Sequence, residues 1–283
     1  MSDLTLTIAG LGLHPIKSCG ALAPNAALLT ETGLDLDRTW MVVDPDGEML
    51  TQRETPALAL VRPRLGLSDL VLKAPGMLGL HLSIEAVETP TRVRVWDDEV
   101  KAWDMGDLAA RWFSDYLGRP ARVVRFDPDE RRLASRRWTG EVEAPVEFAD
   151  GYPLLVASTA SLAELNRRLA IVGSAPVGTE RFRANLWLDG LEAFDEDLID
   201  EITLDADGGP VRLKLVKPCT RCQIPNIDPA TAEVQAEPGR TLAGFRADAR
   251  MGGTITFGMN AIVLEGTGRT LKRGQAGRAR FAV

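Results

Sequence analysis

Residues 199–217 read IDEITLDADGGPVRLKLVK, and this stretch gives the clearest indication of the fold. Two runs of alternating apolar and polar residues flank Asp207 and two glycines, a pattern typical of a β-hairpin. Along the second run the apolar side chains fall on alternate positions: Val211, Leu213 and Leu215. The positions between them are largely charged, which predicts a strand with one buried and one solvated face. We expect Pro218 to end that strand.

The same pattern recurs elsewhere. TWMVVDPDGEMLTQ (39–52) and TRVRVWDDEVKAW (91–103) predict two more hairpins, the second turning at Asp97-Asp98. Helical periodicity predicts helices only over 107–117, capped by Asp107, and over 161–170, opened by a Ser161…Glu164 capping box. The charged, aperiodic segment 127–145 predicts an exposed loop near a domain boundary. We therefore expect a β-rich α+β fold of barrel-like domains with a few peripheral helices.

Composition narrows the functional classes. The 283 residues are 45% hydrophobic and carry a formal net charge of −7, which argues against general binding to nucleic acid or to an anionic membrane. Neither a membrane-spanning apolar stretch nor a secretory signal is apparent. Three cysteines are too few for a disulfide framework. We expect a cytoplasmic protein.

Two of those cysteines lie in VKPCTRCQIPNIDP (216–229), a C-x-x-C pair set among cations. Four positive residues and no acid lie between positions 211 and 222: Arg212, Lys214, Lys217 and Arg221. Nearby cations favour thiolate over thiol, and a thiolate is both a nucleophile and a soft metal ligand. The residues alone leave four interpretations open: structural zinc, a redox dithiol, a thiolate ligand for a larger cofactor, or a strand end without chemistry.

Positive and polar residues also gather in three other segments. Lys17 and Ser18 follow the predicted first strand in GLHPIKSCG (12–20), and Arg38 precedes the first hairpin. In ERFRANLWLDG (180–190) we expect Arg181, Arg183 and Asn185 to share one face of an extended segment. Arginine, lysine and serine together are suited to binding a phosphate.

Five blocks occur in order along the chain: HPIKSCG, GLDLDRTWMVVDPDGEMLTQRETPAL, DGYPLLVASTASLAELNRRL, RFRANLWLDGLEAFDED and KPCTRCQIPNIDPATAEV. In these blocks the whole chain resembles the two-part MOSC family, most closely the bacterial relatives of the mitochondrial amidoxime-reducing component. The resemblance implies an N-terminal MOSC β-barrel domain over residues 1–120 and a MOSC β-barrel domain over residues 121–283.

The resemblance also implies a bound molybdenum cofactor (molybdopterin), a pterin dithiolene with a terminal phosphate. The metal ligand of the family falls on Cys222, which leaves Cys219 as a neighbour. The cofactor contacts fall on Lys17, Ser18, Arg38, Arg183 and Asn185, with Arg221 beside the ligand. Asp150 occupies the position of an acid near the cofactor and is the candidate catalytic residue. Gly151 and Tyr152 depart from the small hydroxyl residues of the animal members.

The implied activity is reduction of N-hydroxylated compounds such as hydroxylaminopurines, amidoximes and hydroxamic acids. Electrons are expected from a separate iron–sulfur, flavin or cytochrome protein. The alternatives are a carrier of molybdenum cofactor or sulfur without turnover, and a thiol–disulfide oxidoreductase. A phosphate clamp of this kind could also accept pyridoxal phosphate. Neither histidine is an obvious general acid, and we expect His14 and His81 to be structural.

Overall fold

The computed structural model describes residues 4–282, and strands dominate them. The strands are β1 (Leu4–Leu11), β2 (Ala26–Thr30), β3 (Gly33–Leu34), β4 (Trp40–Val43), β5 (Arg62–Leu65), β6 (Asp69–Lys73), β7 (Leu80–Ser83), β8 (Thr89–Val95), β9 (Asp98–Asp104), β10 (Arg122–Phe126), β11 (Arg132–Leu133), β12 (Pro145–Val146), β13 (Leu154–Ser158), β14 (Leu186–Asp189), β15 (Ile199–Ala206), β16 (Gly209–Thr220), β17 (Ala247–Asp248), β18 (Thr254–Glu265), β19 (Thr270–Lys272) and β20 (Ala276–Phe281). The α-helices are α1 (Gly106–Leu117), α2 (Arg136–Thr139), α3 (Thr159–Ile171) and α4 (Gly239–Ala243). The expected β-rich fold with few helices is confirmed.

Seven strands close into a barrel in the order β13, β14, β1, β20, β15, β16 and β18, with β18 pairing back to β13. Neighbours are antiparallel except β13 and β14, which are parallel. Alternate side chains of these strands point inward and form the largest core cluster, which includes Leu6, Ile8 and Leu213. The first strand of the chain thus completes a ring of strands that otherwise follow residue 153. A domain division after residue 120 stays a prediction.

The hairpin predicted over 199–217 is formed by β15 and β16, joined at Asp207-Gly208. Its apolar side chains face the barrel interior, and the charged face is outside, where the Arg212 guanidinium lies 2.7 Å from Glu201. The expectation that Pro218 ends β16 is wrong, because the strand continues to Thr220. Pairing with β15 stops at Lys214, so β16 has a single neighbour at Pro218, where the missing N–H costs no ladder bond.

Two antiparallel sheets lie between β1 and the other barrel strands along the chain. One has the order β4, β10, β9, β8 and the other β5, β6, β7, and α1 packs beside them. Two core clusters lie against these sheets and contain large aromatic side chains. The first includes residues of both sheets and of α1, among them Trp40, Trp112 and Phe113. The second lies against the four-stranded sheet and contains Phe126 and Phe148. A third small sheet pairs β19 with β2, so backbone hydrogen bonds join a segment near the end of the described chain to one near its start.

Both predicted helices exist, but their first residues differ from the expectation. Met105 occupies the N-cap position of α1 without a side-chain hydrogen bond, Asp107 lies in the first turn, and Gly118 ends the helix in the left-handed conformation. The Ser158 side chain accepts from the Ser161 N–H and caps α3, because β13 runs directly into this helix.

The expectation of an exposed loop over 127–145 is confirmed only in part: most of these residues are exposed or partly exposed, but the segment is not a plain loop. This segment contains β11 and α2, and its Arg132 side chain is only 8% exposed. Arg132 bonds Asp98 at 2.7 Å and the carbonyls of Glu147 and Ala149 at 3.0 and 2.6 Å. The charged Arg132 therefore fixes this segment to β9 and to the loop that contains Glu147 and Ala149. Sequence periodicity alone does not reveal this role. None of the helices within residues 4–282 has the length and apolar character needed to cross a membrane.

Candidate functional site

The predicted site residues converge at one end of the barrel because strand register places their segments there. Leu11 pairs with Leu186, Leu154 with Ala261, and Lys217 with Asn260. These pairs mark the end of β1, the starts of β13 and β14, and the end of β16. Each predicted cofactor residue lies in a loop or strand terminus at that end.

A cavity of about 500 Å³ opens there. Every site residue predicted from the sequence lines it: Lys17, Ser18, Arg38, Asp150, Arg183, Asn185, Arg221 and Cys222. Its charged lining comprises six cations, Lys17, Arg38, Arg53, Arg183, Lys217 and Arg221, and one acid, Asp150. A cavity this positive in a chain of net charge −7 is suited to a small anionic ligand.

Lys17 and Asp150 form the central ion pair, with Lys17 Nζ 2.5 Å from Asp150 Oδ1 and 2.8 Å from the carbonyl of Phe148. The Lys17 side chain is 7% exposed, and burial lowers the pKa of its amine while Asp150 partly offsets this. The Asp150 side chain is 61% exposed. Crowding by protein would raise the pKa of Asp150, but Lys17, Arg53 and Arg38 outweigh it and hold that pKa below its ordinary value.

A second network fixes Arg38. Its guanidinium pairs with the buried Asp37 carboxylate and donates to the Asn185 side-chain oxygen at 3.3 Å and the Arg183 carbonyl at 3.0 Å. The Asn185 amide donates to Asp37 at 2.9 Å and to the carbonyl of Gly12 at 3.1 Å. Its side-chain oxygen also accepts from the Leu155 N–H. The side-chain amide of Asn185 therefore makes its hydrogen bonds to other protein groups, and these bonds hold Arg38 in place.

Arg183 lies beside Arg38 and donates to the Cys19 carbonyl at 2.5 Å. Burial and the Arg38 charge lower the pKa of Arg183 to about 10, so it stays charged at neutral pH. The expectation that Arg181 shares its face is wrong, because Thr179–Arg181 forms a 3₁₀ turn. Arg181 instead bonds Asp228 at 3.0 Å and does not line the cavity.

Backbone strain is concentrated at this cavity. Among residues 4–282, seven non-glycine residues have positive φ, and four of them line the cavity: Ser18, Arg38, Trp96 and Arg183. Such conformations cost free energy and persist where the surrounding structure enforces them, commonly at functional sites. Three of these four are residues that the sequence assigned to phosphate binding.

The three cysteines differ in environment. Cys19 is fully buried, and burial raises the pKa of its thiol to about 12, which makes it unreactive. Cys219 is half-buried and its sulfur lies 3.1 Å from the Arg221 guanidinium. Cys222 is exposed at the cavity. Arg221 thus contacts the first thiol of the pair directly and leaves the second free to meet a ligand.

The donor set decides which metal chemistry fits. No group of three or more His, Cys, Asp or Glu side chains placed to hold a metal ion occurs within residues 4–282. A zinc ion held by four protein ligands therefore does not fit the described chain. A metal that brings most of its ligands with it, including a phosphate-bearing organic part, does fit one exposed thiol in a cationic cavity. The buried Arg221 Nε, which has no partner in the structure, is a further free donor at the cavity.

Several lining residues escaped sequence reasoning, notably Arg53, Trp96 and Phe182. Arg53 follows the first hairpin, and Trp96 forms the turn of the second with Asp97, one residue earlier than expected. Trp96 lies in the β8–β9 hairpin and Arg53 in a turn after β4, so only the packing of distant segments brings them to the cavity. The histidines play no part in it. His14 is buried with its Nδ1 3.4 Å from the Asp37 carboxylate, and His81 is exposed and bonds Asp69 at 2.7 Å.

Comparison with known proteins identifies the domain families to which this two-part β architecture is similar. Residues 5–120 match the MOSC N-terminal beta barrel domain and residues 143–276 the MOSC domain. The mitochondrial amidoxime reducing component 2 of Rattus norvegicus is 36% identical over 253 residues, which cover 85% of this chain and 72% of that protein. The molybdenum cofactor sulfurase of Homo sapiens is 32% identical over 246 residues, covering 80% of this chain and 27% of that protein.

A solution structure of a Bordetella bronchiseptica protein is 32% identical, covers 36% of this chain and 86% of that chain, and superimposes with a TM-score of 0.30. The fold and the thiol-bearing cationic cavity define a protein of the MOSC class. Within it, this chain belongs to the family that carries a MOSC N-terminal β-barrel domain before the MOSC domain and includes the mitochondrial amidoxime-reducing components.

Proposed function

We propose that this protein binds molybdenum cofactor in the cavity and reduces N-hydroxylated compounds there. The relatives support a function related to the molybdenum cofactor, since one group is named for amidoxime reduction and another for cofactor sulfuration. The reductase activity, its substrates and its partner are our proposal. The observation that carries it is the cavity itself, with six cations, one acid and an exposed thiol.

The cationic floor is the phosphate site. Lys17, Arg38 and Arg183 supply positive charge, and Ser18 supplies a hydroxyl beside them. The positive φ of Ser18, Arg38 and Arg183 sets their side chains in one region before any ligand arrives. Such preorganisation lowers the entropic cost of binding. Asn185 acts by orienting Arg38, and Arg221 by charging the region beside Cys222.

Cys222 is the protein ligand to molybdenum, a soft thiolate suited to a centre already bound by sulfur. When bound, the cofactor supplies the two-electron chemistry that takes an oxygen from the substrate. The balance is R–NH–OH + 2e⁻ + 2H⁺ → R–NH₂ + H₂O. Asp150, ionised at neutral pH, accepts a hydrogen bond from the substrate N–O–H group and orients it. Solvent protons reach that group directly from the open side of the cavity, where Asp150 is exposed, while the Lys17 ammonium keeps the Asp150 carboxylate ionised and in place.

Electrons come from a separate iron–sulfur, flavin or cytochrome protein, one at a time. The open face of the cavity, where Asp150 and Cys222 are exposed, admits small substrates of varied shape. No nucleic-acid or membrane partner is part of the proposal.

The test measures two quantities on the same freshly purified protein: molybdenum and pterin per chain, and reduction of hydroxylaminopurine by reduced viologen. We expect metal and pterin close to stoichiometric and steady formation of the aminopurine. Protein from a host unable to make the cofactor is the control and should show neither. Stoichiometric molybdenum without reduction would contradict the reductase and leave a cofactor carrier. Reduction without molybdenum that needs Cys219 would instead identify a thiol–disulfide oxidoreductase.

A further inference from the structure

Trp96 occupies a position in the β8–β9 hairpin that does not suit a tryptophan. Val95 pairs with Asp98, which leaves a two-residue turn of Trp96 and Asp97. Trp96 has φ of 56°, and positive φ at the first residue of such a turn favours glycine. The side chain is a large hydrophobic group and is still 44% exposed. Neither the turn geometry nor burial in the core therefore explains why a tryptophan stands at position 96.

Contacts from two sides hold the indole at the cavity. Its Nε1–H donates to Asp150 Oδ1 at 3.3 Å, across the gap between the hairpin and the barrel. The Arg53 guanidinium lies 4.7 Å from the ring centroid, a cation–π distance. The Arg53 carbonyl in turn accepts from the Gln223 side chain at 2.9 Å, one residue beyond Cys222. Trp96 thus contacts Asp150 directly and is linked through Arg53 to the residue that follows Cys222.

Exposure divides the cavity into two layers. Lys17, Ser18 and Asn185 are 6%, 5% and 1% exposed and form a buried floor. Trp96, Asp150 and Cys222 are exposed and form the outer layer. A ligand part that reaches the outer layer meets an aromatic ring next to a carboxylate.

We propose that Trp96 is a specificity-determining residue that stacks on planar, π-rich substrates, so that N-hydroxylated heteroaromatic bases are preferred over aliphatic hydroxamic acids. This inference rests on the proposed function and names the substrate class of the same site. A base offers a flat face to the indole, and its N–O–H group lies within reach of Asp150 when the ring stacks. An aliphatic hydroxamic acid offers only the polar group.

The test compares wild type with Trp96→Gly in the cofactor-bound protein. Glycine suits the turn, so the variant should fold at least as well. We expect KM for hydroxylaminopurine to rise about fivefold or more, the lower end of a base–aromatic stacking contact, with kcat little changed. KM for acetohydroxamic acid should stay the same. Trp138→Ala is the matched control, because Trp138 has Arg137 at 5.7 Å from its ring but does not line the cavity.

Tryptophan fluorescence gives a readout that does not depend on turnover. Hydroxylaminopurine should quench the wild type and the Trp138→Ala variant, and the quench should shrink in Trp96→Gly. A wild type that is quenched but reduces nothing would refute the proposed function and keep the stacking. An equal change in KM for both substrates, or none for the purine, would overturn the inference. Loss of pterin from Trp96→Gly would also overturn it, by assigning the indole to the cofactor.

Discussion

Lowering the pH from 7 to 5 should weaken the fold through a single buried histidine. His14 is 1% exposed, its backbone N–H donates to Asp37 at 2.8 Å, and its carbonyl accepts from the Arg38 N–H. Burial, together with the charges of Arg38 and Arg183, lowers the pKa of His14 from 6.5 to about 3. The folded chain therefore keeps this ring neutral over a range in which the unfolded chain binds a proton.

The direction and size of the change in unfolding free energy follow from the linkage between proton binding and folding. Below pH 6.5 the unfolded state gains a proton that the folded state refuses, so stability falls as the pH falls and levels off near pH 3. The slope approaches about 1.4 kcal/mol per pH unit, and integrating from pH 7 to pH 5 gives a loss of about 2 kcal/mol. Above pH 6.5 this contribution is fully present.

Urea denaturation at the two pH values measures this loss. The chain has two histidines, so His14→Gln and His81→Gln separate them. We expect wild type and His81→Gln to lose about 2 kcal/mol more between pH 7 and 5 than His14→Gln. Equal losses in all three proteins would refute the assignment of a neutral, buried His14.

Three further predictions concern the charged groups around the cavity. Arg132→Gln should lower the free energy of unfolding by about 2–3 kcal/mol in urea denaturation, because a buried guanidinium loses its bonds to Asp98 and two carbonyls; a change below about 0.5 kcal/mol would contradict this. Asp150→Asn should strengthen binding of inorganic phosphate to cofactor-free protein about fivefold by calorimetry, because the exposed carboxylate no longer competes for Lys17; weaker binding would contradict it. Arg183→Gln should leave the Tm of the cofactor-free protein unchanged or raise it by about 3 °C, because the substitution removes a buried charge that Arg38 repels. The same substitution should lower the molybdenum content of the holoprotein. A lower Tm together with full molybdenum would count against this role for Arg183.

Local signals account for the parts of the fold that sequence reasoning predicted. The hairpins at 91–103 and 199–217 and helix α1 follow from alternation, turn residues and helical periodicity within each segment. The hairpin expected over 39–52 is confirmed only in part, because its second run makes a single bridge, Met49 to Val43, and forms no strand. Barrel closure has no such signal. β1 pairs with β14 and β20, more than 170 positions away, and nothing within residues 4–11 shows that partnership.

The same division holds for the site. Lys17, Arg183 and Cys222 lie in segments whose composition is unusual, so a search for cations and thiols finds them. Arg53 and Trp96 lie in turns whose composition carries no signal of a site, and they become site residues only because distant segments pack together at the barrel end. The residue types in a sequence show which side chains could bind a ligand, whereas long-range packing decides which of them line the same cavity.

We propose that the sulfur of Cys222 holds the metal while that of Cys219 does not. Molybdenum and pterin per chain should therefore be measured in parallel for wild type, Cys222→Ser and Cys219→Ser, all purified from one cofactor-producing host. Both substitutions exchange sulfur for oxygen within one C-x-x-C pair, so each controls for the other. We predict that Cys222→Ser loses molybdenum and that Cys219→Ser retains most of it. Full molybdenum in Cys222→Ser, or its loss from Cys219→Ser alone, would contradict the account.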